Sequence, residues 1–306
     1  MITSKVQTVC SHYIHMKWLG GRQSENVEYS DGGGNGGGRL LGGGIGATII
    51  GIIIYLITGY TPNQVNRMVD AAGGGREEQI TTNYHAEQGS MKEFASIVLA
   101  ETEVVWDSLF AANGMTYNKP VMRIFEGQVN TACGGASAAV GPFYCPSDQK
   151  IYLDVSFFNE LKERFGAPGD FANAYVIAHE VGHHIQYLMG TTQKMSRLKG
   201  YGERSGPHSM SVMLELQADF YAGVWAHYAE KMNSKDNPVV IEPGDIEAAL
   251  NAANAIGDDR LQRLTQGRVV PDAFTHGTSK QRMYWFRKGY ETGDISQGDT
   301  FSELAN

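Results

Sequence analysis

The longest run of apolar positions in the C-terminal two thirds of the chain spans residues 171–189, where Glu180 is the one charged side chain. It opens after Gly169-Asp170, closes at Gly190 and contains no proline, so start, length and stop all predict one buried helix. A second apolar helix is expected over 209–232, carrying Glu215 and Asp219 among Val212, Met213, Leu214, Phe220, Val224 and Trp225. Ser90-Met91-Lys92-Glu93 has the form of a capping box, and Phe94, Val98, Val105 and Leu109 follow at helical spacing up to Asn113-Gly114. That scaffold helix would present Glu101 and Glu103 on a solvated face. Helices are also expected at 156–165, 245–256 and 279–290, and residues 191–207 read as a polar loop. Short β-like patterns at 121–125, 128–133 and 150–154 predict a small sheet beside the 171–189 helix. The fold class implied is α+β, mostly helical.

The N-terminal part follows a different pattern. Residues 1–39 are polar and end in a glycine-rich run, with too few apolar side chains to offset the entropy of ordering them, so a flexible tail is expected. Residues 40–60 carry no charge and are almost wholly apolar, and about 20 such residues suffice for a helix to cross a bilayer. A long polar segment precedes this run and no small-residue cleavage pattern follows it, which favours an uncleaved anchor over a signal peptide. Arg22 and Arg39 on one flank face Arg67 and Arg76 on the other, so flanking charge does not decide orientation. Residues 61–80 then read as a linker, and residues 81–306 as the soluble domain.

The 33 acidic side chains exceed the 25 basic ones, giving a formal net charge of -8, which argues against a nucleic-acid-binding surface. Of the three cysteines, Cys133 and Cys145 enclose a short loop and lack the Cys-x-x-Cys neighbours of a metal knuckle. Their pairing as a disulfide would require an oxidising compartment, and Cys10, beyond the expected anchor, would then remain reduced inside.

The candidate chemistry lies in His179-Glu180-Val181-Gly182-His183. Residues four apart share one face of a helix, so both imidazoles can hold one metal while the carboxylate beside the first reaches a water there. A charged glutamate inside an apolar helix needs a partner, and so do Glu215 and Asp219 on the second one. Two histidines and a carboxylate are three ligands, the set of a catalytic zinc site rather than a closed structural one. From spacing alone, either Glu215 or Asp219 can be the third ligand, with the other behind a histidine. His276, in a polar stretch, reads as structural or exposed.

At these residues the sequence resembles the gluzincin branch of the zincin metallopeptidases. It resembles more closely the bacterial predicted neutral zinc metallopeptidase family of membrane-anchored proteins. The resemblance is carried by residues 16–27, by Thr131-Ala-Cys-Gly-Gly-Ala and the rest of 131–146, by 151–154, by Ala178-His-Glu-Val-Gly-His-His184, by Glu215-Leu-Gln-Ala-Asp219 and by 274–279. It implies a zincin-like domain with His179, His183 and Glu215 as Zn2+ ligands, Glu180 as catalytic base and Asp219 behind a ligand. It also implies a single-pass anchor in the cytoplasmic membrane, with the peptidase domain on the periplasmic or extracellular side and a peptide or protein as substrate. Gly298 departs from the pattern, since relatives often carry cysteine there. A zinc-stabilised binding module or chaperone-like envelope protein, and a hydrolase of non-peptide amides, are the competing expectations.

Overall fold

The computed structural model describes residues 16–30, 81–137, 140–197, 205–232, 239–242 and 244–304. The expected anchor at 40–60, the linker at 61–80 and Cys10 lie outside the described residues. Among the described residues, no helix is long and apolar enough to cross a membrane.

The elements in chain order are β1 (Val27–Ser30), α1 (Thr81–Ala112), β2 (Val121–Phe125), β3 (Gln128–Thr131), β4 (Gly134–Ser137), β5 (Phe143–Cys145), β6 (Lys150–Leu153), α2 (Ser156–Glu163), α3 (Asp170–Leu188), α4 (Thr191–Arg197), α5 (Met210–Lys231), α6 (Asp245–Ala255), α7 (Asp258–Gln266), α8 (Ser279–Thr292) and α9 (Thr300–Leu304). The sheet order is β1-β2-β6-β5, with β1, β2 and β6 parallel and β5 antiparallel to β6. Strands β3 and β4 form a separate hairpin. The result is mostly helical with a small mixed sheet, as the apolar patterning implies.

Helix α3 is buried along nearly its whole length and packs between the sheet side of the molecule and α5, α6 and α1. It meets α5 where Gly182 faces Ala218: a Cβ at Gly182 would lie 2.7 Å from the Ala218 carbonyl oxygen, so a glycine is what lets the two backbones approach. Gly223 and Gly289 serve the same purpose where α5 crosses α8, since a Cβ on either would collide with backbone of the other helix.

Cys133, in the β3–β4 turn, forms a disulfide with Cys145 at the end of β5. Closing a loop of this length contributes on the order of 3 kcal/mol. It fixes β5, whose Tyr144 hydroxyl donates to His184 Nδ1 on α3 at 2.9 Å. A disulfide places the domain in an oxidising, extracytoplasmic setting.

Four expectations are corrected. Residues 16–30 are not a flexible tail: β1 pairs with β2, Met16 and Trp18 are buried, and Lys17 exchanges two backbone hydrogen bonds with Val240. Burying two such side chains contributes about 1.5–3 kcal/mol each. Glu101 and Glu103 are buried rather than solvated, and Glu103 accepts from Ser24 Oγ at 2.5 Å and Asn26 Nδ2 at 2.8 Å. Helical periodicity cannot register partners some eighty residues earlier in the chain. Ser90 does not start its helix either, because α1 begins at Thr81 and runs through it. Part of the polar stretch after Gly190 is helical as α4, and α7 is a helix the apolar pattern did not bring out.

Candidate metal centre

The contact between Gly182 and Ala218 determines what the two helices can share. On α3, His179 and His183 flank Gly182 by three residues and one; on α5, Glu215 and Asp219 flank Ala218 by three and one. Close approach at that crossing therefore brings the polar faces together. His179 Nε2 lies 3.2 Å from Glu215 Oε2, and His183 Nε2 lies 3.6 Å from Glu215 Oε1. The ligand atoms of these three residues all lie within 4.8 Å of one another. Tetrahedral zinc with bonds of about 2.0–2.1 Å separates its ligand atoms by roughly 3.3 Å, so this donor set fits the ion and leaves one position open.

Each imidazole is held by its other nitrogen. His179 Nδ1 donates to Asp219 Oδ1 at 2.9 Å, and His183 Nδ1 donates to Gln186 Oε1 at 2.9 Å, so both rings present Nε2 to the site. Gln186 is fixed in turn by donating to the Leu214 carbonyl at 2.6 Å and to Gln217 Oε1 at 3.2 Å. Asp219 is fully buried and accepts from the Tyr175 hydroxyl at 2.5 Å and from Arg282 Nε and Nη2 at 2.8 and 3.0 Å. Arg282 comes from α8 and is itself buried.

The charges also call for a cation. With the imidazoles neutral, the form in which they bind a metal, Glu180, Glu215 and Asp219 against Arg282 carry an excess of two negative charges, which a divalent ion offsets. Burial opposes protonation of His179, yet Asp219 and Glu215 outweigh it and push the ring up to about 10. Burial likewise opposes charge on Glu215, and His183 and His276 hold its carboxyl well below the usual range. Glu180 behaves differently: burial dominates and raises its pKa, while His179 and His183 partly offset it.

The structure adds residues that spacing did not bring out. Asp258, fully buried, accepts from the backbone N–H groups of Thr275, His276 and Gly277 at 2.7, 2.6 and 3.1 Å. Its other oxygen lies 3.2 Å from His276 Nδ1. The same segment lies along α5, where Ser211 Oγ donates to the Thr275 carbonyl at 2.9 Å, one turn before Glu215. His276, read from sequence as structural or exposed, is thus clamped beside the centre, in the field of Glu215. Tyr175 was detectable in principle as the residue one turn before His179. Arg282 carried no signal, because nothing local marks an arginine as the partner of an aspartate 63 residues earlier.

A family model described as "Putative neutral zinc metallopeptidase" matches residues 16–301. The chain is 42% identical over 295 residues to "Uncharacterized protein YpfJ" of Escherichia coli (strain K12), covering 94% of this chain and 99% of that one. It is 46% identical over 205 residues to "Uncharacterized protein Rv2575" of Mycobacterium tuberculosis (strain ATCC 25618 / H37Rv), covering 65% of this chain and 67% of that protein. No solved structure matches the chain.

Proposed function

The chain belongs to the neutral zinc metallopeptidase family, and from that premise we propose that it hydrolyses peptide bonds in peptides or proteins of the cell envelope, as a zinc-dependent endopeptidase. The observation that carries this reading is the convergence of His179 Nε2, His183 Nε2 and the Glu215 carboxylate on one open site, with Glu180 one residue from the first ligand. His179, His183 and Glu215 would hold the ion. Zinc bound there supplies Lewis acidity, polarising the scissile carbonyl and acidifying water toward a pKa of about 7.

The remaining steps belong to the chain's own side chains. Glu180 takes a proton from the attacking water and returns it to the amide nitrogen as the C–N bond breaks, leaving a carboxylate and an amine. Its raised pKa suits a group that must both accept and release that proton. Asp219 and Gln186 hold the two imidazoles in the tautomer that points Nε2 inward. His276 donates from Nδ1 to Asp258, so its Nε2 can donate to the carbonyl oxygen, as charge develops there, when the ring is an imidazolium. Burial opposes that form, and Glu215 and Asp258 outweigh it and raise the pKa.

The decisive experiment is Glu180→Gln, assayed for zinc content and for cleavage of an unstructured peptide library. Zinc content and thermal stability should stay near wild type while hydrolysis falls by about 10²–10⁴-fold, the contribution of a positioned general base. Equal cleavage by both proteins refutes the mechanism. No cleavage by the zinc-loaded wild type makes a zinc-stabilised binding module the better reading.

A further inference from the structure

We propose that residues 16–30 and the domain from residue 81 onward form one folded unit, and so lie on the same face of any membrane the chain meets. The inference rests on how many separate parts of the domain the N-terminal segment touches. Strand β1 is in register with β2 from Val27 opposite Met122 to Ser30 opposite Phe125, making β1 an edge strand of the four-stranded sheet. Ahead of it, Met122 N donates to the Asn26 carbonyl at 2.8 Å and Ser24 N donates to the Ser96 carbonyl on α1 at 3.1 Å. The Trp18 ring meets Phe94 edge-on at 5.3 Å, and its Nε1 donates to Asp170 Oδ2 at 2.9 Å, in the first turn of the metal-site helix α3.

Charge adds an argument independent of packing. Glu103 has a side chain 1% exposed, and the segment supplies three groups around its carboxylate: Ser24 Oγ, Asn26 Nδ2 and, at 3.6 Å, the Arg22 guanidinium. Without the segment a buried carboxylate would lose those partners, keeping among the described residues the Lys119 ammonium at 3.8 Å. On the sheet surface, Glu28 sits between Lys150 at 2.8 Å and Arg123 at 3.2 Å.

Contacts of about 3 Å cannot coexist with a hydrocarbon layer about 30 Å thick between the two partners. A single pass at 40–60 would put 16–30 on one face and 81–304 on the other, abolishing every contact named above. The contacts instead put the two described segments on one face of any bilayer the chain meets. Segment 16–30 then supports α3 directly, through Trp18 and Asp170, as a part of the folded domain.

The test uses the full chain in sealed membrane vesicles of one orientation, with Cys10→Ser to remove a stray thiol. Leu19→Cys reports on the N-terminal segment and Glu163→Cys on the domain; both positions are solvent-exposed, so neither substitution disturbs packing. Each is treated with a membrane-impermeant maleimide before and after disruption of the vesicles. Matched labelling at the two sites, before and after, is the expected result. One site labelled in sealed vesicles while the other reacts only after disruption overturns the inference and restores a single crossing. The readout is independent of zinc and of peptide cleavage, so it can fail while the peptidase reading stands, and the reverse.

Discussion

Asp219 Oδ1 lies 2.9 Å from His179 Nδ1, and the same oxygen accepts from the Tyr175 hydroxyl and Arg282 Nη2. The carboxylate is therefore committed to orienting a histidine, whereas Glu215 is the one that faces Nε2 of both histidines. Asp219→Asn should weaken zinc binding by about 10–100-fold. Glu215→Ala should weaken it much further, because it removes the carboxylate that faces both Nε2 atoms. Zinc affinity measured by competition with a chelator checks the ranking, and the opposite order would exchange the two roles.

Gly182 has a packing role that its place inside the histidine motif conceals. A Cβ there would lie 2.7 Å from Ala218 O and 3.0 Å from its Cα, so Gly182→Ala must push α3 and α5 apart. Overpacking of this kind costs about 1–3 kcal/mol. Separation at the crossing also moves His179 and His183 away from Glu215, so zinc stoichiometry should fall together with the melting temperature. A stable variant with full zinc occupancy would show that the crossing does not set the site.

The clamp of Asp258 on residues 275–277 holds His276 in one orientation. If His276 donates to the developing oxyanion, His276→Gln should lower kcat by about 10²–10³-fold with zinc content intact and KM little changed. Asp258→Asn should have a smaller effect in the same direction, by loosening the ring. Unchanged kcat in the glutamine variant would remove His276 from the chemistry.

His184 follows His183 in the chain but faces away from the site. Its Nδ1 accepts from the Tyr144 hydroxyl at 2.9 Å and its Nε2 donates to the Asn118 carbonyl at 2.6 Å, a pattern only the neutral ring satisfies. Burial lowers its pKa to about 4, with the bond to Asn118 partly opposing. Between that value and the ordinary one near 6.5 the unfolded chain binds the extra proton, so stability is fully present above about pH 6.5 and falls as pH drops toward 4. The loss amounts to roughly 3 kcal/mol. Denaturant titrations across this window should show a shallower pH dependence in His184→Gln than in wild type, and identical slopes would refute the assignment.

Local pattern was enough for the parts of this protein that local physics decides. The apolar run bounded by Gly169 and Gly190 marked α3, because capping, period and stop all act within one helix. The i,i+4 spacing of His179 with His183, and of Glu215 with Asp219, placed each pair on one face for the same reason. Cys133 and Cys145 were close enough in the chain for their pairing to be expected, and they are bonded. Tertiary structure decided which carboxylate faces the imidazoles and which stands behind one, since that depends on how α5 lies across α3 at Gly182 and Ala218. It also decided the fates of Arg282, His276 and Glu103, whose partners are tens of residues away. Residues 16–30 are the clearest case: taken alone they bury too little apolar surface to order themselves, and they become a strand only because β2 and α1 provide the surface they bury against.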